Sequence, residues 1–101
     1  MQHNLKIDRR WFDAVLEGRK KAEVRRADRD FAVGDRLLLY VPGENEGALV
    51  TVTHIVRVSD IAGLGCTEPI AVLSIDEPTR LAGDQLSAQL AAGDYGGSHE
   101  T

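Results

Sequence analysis

The chain has 101 residues, with 12 Lys and Arg against 16 Asp and Glu for a net charge of −4, and a single cysteine. That length suits about one domain whose core needs no disulfide or metal staple, and a lone Cys66 excludes an internal bridge. No apolar run reaches the roughly 18 to 20 residues of a membrane span, and no basic start leads into an apolar leader, so the expectation is a soluble, cytoplasmic monomer.

His3, His54 and His99 are scattered without metal-ligand spacing, which predicts neither a metal nor a cofactor. Cys66 reads as a small buried apolar group. Charge is unevenly spread. Residues 1–36 hold ten of the twelve cations against seven acids, a local balance of +3, and the other 65 residues carry −7. Tight nonspecific binding to a polyanion is therefore not expected, and any contact with an anion should be confined to one face or cleft.

In chain order, HNLKI at 3–7 places Leu5 and Ile7 opposite Lys6, as a short strand does. Asp8 stands where a helix N-cap belongs, and Trp11, Phe12, Val15 and Leu16 form a helical apolar stripe, with Trp11 and Phe12 as its expected anchors. Gly18 is placed to close that helix.

From Lys21 the period becomes two. The alternation predicts a strand with Ala22 and Val24 facing the core, while Glu23 and Arg25 share the opposite face about 7 Å apart. Phe31 and Val33 lead to a turn at Gly34-Asp35 and an apolar strand near 36–41. Asp28, Arg29, Asp30 and Asp35 read as a network that fixes the loop, since Asp side chains bond turn amides. After the loop at 42–47 a long alternating strand places Val50, Val52, Val56 and Val58 on one side, with His54 on the valine side, partly buried or at a bulge.

The glycine-punctuated stretch 59–69 reads as a loop and IAVLSI at 70–75 as a buried strand. Residues 1–78 are then one domain. Residues 79–101 form a C-terminal extension, weakly helical at Leu81, Leu86 and Leu90 and disordered at its end. The expected layout is a strand, a helix and then strands without crossover helices to support a parallel sheet, so the fold class is α+β, mainly β: a small barrel of about five to six strands with one N-terminal covering helix.

H-x-L-K-I at 3–7, W-F at 11–12, G-x-K-x-x-E-x-R at 18–25 and DRDFAVGD at 28–35 together resemble the DUF3850 family of the ASCH superfamily, with one departure at Ala27, where the family often has Asn. The resemblance runs from His3 to about Ile75. It implies a PUA-like barrel with a cleft between barrel and helix, lined by Lys20, Glu23 and Arg25, and RNA or a nucleotide-like small molecule as the partner.

Three functions are consistent with this pattern. In the first, Lys20, Glu23, Arg25 and Arg29 bind the ligand, Lys20 and Arg25 meeting phosphate and Glu23 accepting from a base or holding a cation in place. Trp11, Phe12 and Phe31 are assigned to the core, Tyr40 to an apolar strand and Tyr95 to the tail. That leaves few stacking platforms, so a small ligand or one nucleotide is expected rather than a long strand.

In the second, Lys20 and Glu23 are catalytic in an amidohydrolase acting on acylated nucleosides. Related ASCH proteins with that activity resemble this chain but carry a threonine where Glu23 stands. Glu23 would then activate water and Lys20 would stabilise an oxyanion. In the third, the domain is structural or binds protein, and Glu23 and Arg25 are an ordinary same-face ion pair.

Overall fold

The computed structural model describes residues 1–27, 29–58 and 69–95. In order along the chain these form β1 (Gln2–Lys6), α1 (Arg9–Leu16), β2 (Ala22–Arg26), β3 (Arg36–Tyr40), β4 (Glu46–Val58), β5 (Ile70–Ile75), β6 (Thr79–Ala82) and α2 (Gly83–Ala92). The strands make one sheet in the order β1-β3-β4-β5-β2, with β6 paired to β4. Among the described strands β1 and β3 run parallel, and the other strand pairings are antiparallel.

The long strand β4 turns this sheet into a curled half-barrel. Its first part pairs with β3 and β6 and its second, from Val52 on, with β5, and a bulge between Val52 and His54 falls at the start of the second. A bulge adds a residue to one strand and sharpens the local twist, which lets one strand serve two parts of a curving sheet. It also resets the alternation. Val52 is buried, Thr53 and His54 are both exposed, Ile55 packs on the core, and Val56 faces outward. The expected single valine face is thus corrected, since Val52 and Val56 differ in exposure, and of the two readings of His54 the bulge applies and partial burial does not.

The inside of the curl holds the main core, built from residues such as Leu5, Phe12, Val15, Leu37, Leu39 and Leu73. On the other face of β3, Leu38 meets Leu81 of β6 and Leu86 of α2 in a second, smaller cluster. The unbroken apolar run of β3 is explained by burial on both faces.

The helix α1 forms where its signals lie. Asp8 is the N-cap and accepts from the Arg10 N–H at 2.9 Å, and Gly18 closes the turn with φ +78°, a conformation glycine adopts without steric cost. Its anchors differ from the expectation. Phe12 is fully buried, whereas Trp11 is 46% exposed, with the Arg10 guanidinium 4.5 Å from its ring centre. Phe12 and Val15, three apart, define the inward face, and Trp11 stands a residue, or about 100°, around from Phe12.

A second helix accompanies α1. Leu81 lies in β6, and Leu86 and Leu90 in α2. The carbonyls of Gln89 and Leu90 at the end of α2 accept from the side-chain amides of Gln2 and Asn4 at 2.9 and 2.8 Å, satisfying groups that a helix end leaves without partners. The chain then crosses β1 backbone to backbone: the Asn4 N–H donates to Asp94 O at 2.8 Å, and the Asp94 N–H donates to Gln2 O at 2.9 Å. The expected loop at 59–69 as far as residue 68, the expected burial of Cys66, Asp28 of the expected loop network, and the expected disordered end from 96 to 101 with His99 lie outside the described residues.

Candidate ligand-binding site

The turn after α1 delivers Lys20. With Gly18 in the left-handed region, the N–H groups of Arg19 and Lys20 both donate to the Ala14 carbonyl at 3.0 Å, and the chain enters β2 at Ala22. The period-two reading of β2 holds, but its faces are reversed. Glu23 is 5% exposed and Val24 57% exposed. A carboxylate this little exposed must be compensated, since burying an unpaired charge costs several kcal/mol or more.

Lys20 and Arg25 supply that compensation. Lys20 Nζ lies 2.5 Å from Glu23 Oε1 and also donates to the Ala22 carbonyl. Arg25 Nε and Nη2 converge on Glu23 Oε2 at 2.7 and 2.6 Å. Arg25 Nη2 also donates to the Lys6 carbonyl at 2.6 Å. Each oxygen of Glu23 is therefore engaged by a cation, an arrangement suited to fixing an ammonium and a guanidinium in place.

Two hollows adjoin Arg25. The smaller, about 370 Å³, is lined by Trp11, Lys20, Glu23 and Arg25 among others. The larger, about 640 Å³, is lined by Lys6, Arg25, Arg26, Arg29, Tyr40 and Tyr95 together with apolar and amide groups, and among the described residues no carboxylate lines it. Lys6, Val24 and Arg25 belong to both. They come from β1 and β2, the strands at the two ends of the sheet order, so the hollows lie along the seam of the half-barrel.

Of the sequence-predicted residues, Lys20, Glu23 and Arg25 are brought together, and Arg29 stands in the wall of the larger hollow. Arg29 donates to the carbonyls of Asp94 and Tyr95 at 3.4 and 3.0 Å and lies 5.9 Å over the Phe31 ring. Sequence reasoning missed Lys6, Arg26, Tyr40, Tyr95 and Trp11. Tyr95, read as part of a loose tail, meets Tyr40 edge to face with centroids 6.1 Å apart. Lys6 had a signal, being the polar residue between Leu5 and Ile7, and it pairs in register with Tyr40.

Behind the larger hollow, Asp35 fixes the loop as expected. It accepts from His3 Nε2 at 2.8 Å, from the Ala32 N–H at 3.0 Å and from the Met1 ammonium at 3.2 Å. Burial opposes ionisation of Asp35, but these donors outweigh it and hold the carboxyl below its ordinary value of 3.8. His3 is 1% exposed and tilts against Phe31 with centroids 4.8 Å apart, so the Asp35 network supports a wall of the hollow. Among the described residues no three His, Cys, Asp or Glu groups are placed to hold a metal, and no helix is long and apolar enough to cross a membrane.

A curled six-stranded half-barrel with two helices is the PUA-like fold of ASCH domains. The fold is shared with the ASCH protein of Zymomonas mobilis, at a TM-score of 0.61 and 17% identity over 96% of this chain and 88% of that one. A point mutant of the Zymomonas protein superposes with a TM-score of 0.65 at 14% identity, covering 97% and 87% of the two chains.

The family itself follows from sequence. Residues 2–75 match the Domain of unknown function (DUF3850), and the chain belongs to that family. It is also 39% identical over 64 residues to the uncharacterized 12.9 kDa protein in the GpA 3′ region of Escherichia phage P2. The match takes in 61% of this chain and spans 55% of that relative's length.

Proposed function

We propose that the domain binds an anionic, nucleotide-like ligand, a free nucleotide or an RNA segment, at the seam between β1 and β2. The observation that supports this reading is the larger hollow. Lys6, Arg25, Arg26 and Arg29 border it together with the Tyr40–Tyr95 pair, with no acid among its described lining, in a chain whose net charge is −4. Guanidinium groups suit phosphate because their planar forks pair its oxygens. Tyrosine rings offer faces or edges to a base, which is how single-stranded nucleic acid is commonly held. In this reading Glu23 positions Lys20 and Arg25 rather than touching the ligand.

Calorimetric titration of the chain with ADP at several salt concentrations tests the reading. Binding that weakens with salt is expected, with Arg26→Ala lowering the affinity and flattening the salt dependence. Absence of binding to ADP and to short RNA at low salt, in protein that melts cooperatively, would refute it.

A further inference from the structure

The seam holds two aromatic-walled hollows with cations between them. On one side Tyr40 and Tyr95 border the 640 Å³ hollow; on the other, Trp11, 46% exposed, borders the 370 Å³ hollow. Lys6 and Arg25 line both, and Arg25 is held at the boundary by Glu23 and by the Lys6 carbonyl. A ligand with a single base fills only one of these spaces. A chain with bases on both sides of a bridging phosphate matches the order of the site: ring, cations, ring.

We infer that the seam takes a dinucleotide step of single-stranded nucleic acid, with one base beside Tyr40 and Tyr95, the next beside Trp11, and the linking phosphate at Lys6 and Arg25. This rests on the nucleotide-binding reading and extends it, replacing the single nucleotide expected from an apparent shortage of aromatic platforms. The shortage is removed by the exposure of Trp11 and by the ordered place of Tyr95. Val24, 57% exposed between the two hollows, gives the sugar an apolar surface to cross.

The full chain is titrated with ADP and with pApA, which have two phosphates each but one and two bases. The inference expects pApA to bind roughly tenfold more tightly, the scale of one added base–aromatic stack. Trp11→Ala should remove most of that advantage, and Trp11→Phe should restore much of it. Trp11 is too exposed for its truncation to threaten the fold, so the melting temperature of the alanine variant should stay close to the parent's. If ADP and pApA bind equally well, the two-base site is overturned while the nucleotide reading stands. Equal loss of both ligands in Trp11→Ala also overturns it, and failure of both to bind the parent overturns the two readings together.

Discussion

Arg25 Nη2 reaches the carbonyl of Lys6 at 2.6 Å, so that a side chain of β2 spans to the last residue of β1 across the seam of the half-barrel. The same guanidinium holds Glu23, and Glu23 holds Lys20. Exposure differs sharply within this trio: the side chains of Lys20 and Arg25 are 22% and 25% exposed, that of Glu23 only 6%. Removing the acid leaves two cations that can turn toward water. Removing the cations leaves a carboxylate that cannot. Glu23→Gln should therefore cost about 1–2 kcal/mol, and the double variant Lys20→Met with Arg25→Met about 3–5 kcal/mol, the range for stranding a buried charge. Chemical denaturation of both proteins checks the order, and a larger loss in Glu23→Gln would show that the carboxylate is better solvated than its burial indicates.

Adjacent aromatics on α1 should behave in opposite ways. Phe12 is fully buried in the main core, so Phe12→Ala should destabilise by about 3–5 kcal/mol through lost transfer energy and the cavity left behind. Trp11→Ala gives up a half-exposed ring and a cation–π contact with Arg10, and about 1 kcal/mol or less should follow. Thermal melts of the two variants measure the contrast.

That contrast shows where the residues speak for themselves. Local signals placed α1 between Asp8 and Gly18, the turn at Gly34 and the strands β1 to β5, because each depends on neighbours in the chain, whereas Leu81, expected on a helix, lies in β6, a strand held by its pairing with the distant β4. The face of β2 was not legible in the same way. Ala22 and Val24 are its apolar residues, and hydrophobic alternation points them inward. What reverses the strand is a buried acid made tolerable by cations three residues before it and two after. The lysine, glutamate and arginine of the site were visible as a motif, but their burial was not. Tyr95 was hidden for another reason. It is held by backbone pairing of Asp94 with β1 and by Arg29, neither of which leaves a periodic trace.

The Asp35 network gives the stability a pH dependence of definite sign. Burial works against the charged form, and bonds from His3, the Ala32 N–H and the Met1 ammonium more than offset it, so the folded carboxyl titrates below 3.8. The unfolded chain then takes up the proton first as acid is added. The contribution of Asp35 is complete above the ordinary carboxylate range and is lost as the pH falls below 3.8 through the folded value. Asp35→Asn should lower the melting temperature most at neutral pH, and the gap from the parent should narrow steadily in acid. A gap that stays constant from neutral to acid conditions would contradict this assignment.

Gly93 is the point at which α2 is pinned to β1. A Cβ added there would stand 2.0 Å from Asn4 Oδ1, closer than any real contact. Asn4 cannot yield without cost, because its amide donates to Leu90 O and its backbone N–H to Asp94 O. Gly93→Ala should therefore cost about 1–3 kcal/mol, the usual penalty of forcing atoms into a packed site. The strain would fall on the segment that carries Tyr95 into the wall of the larger hollow, so nucleotide affinity should fall with stability. Gly93→Ala combined with Asn4→Ala, which clears the space, should recover part of the stability lost to the clash without restoring the bond to Leu90. A double-mutant cycle by denaturation, with ADP affinity measured alongside, separates the two: a coupling energy near zero would mean that Gly93 and Asn4 do not meet.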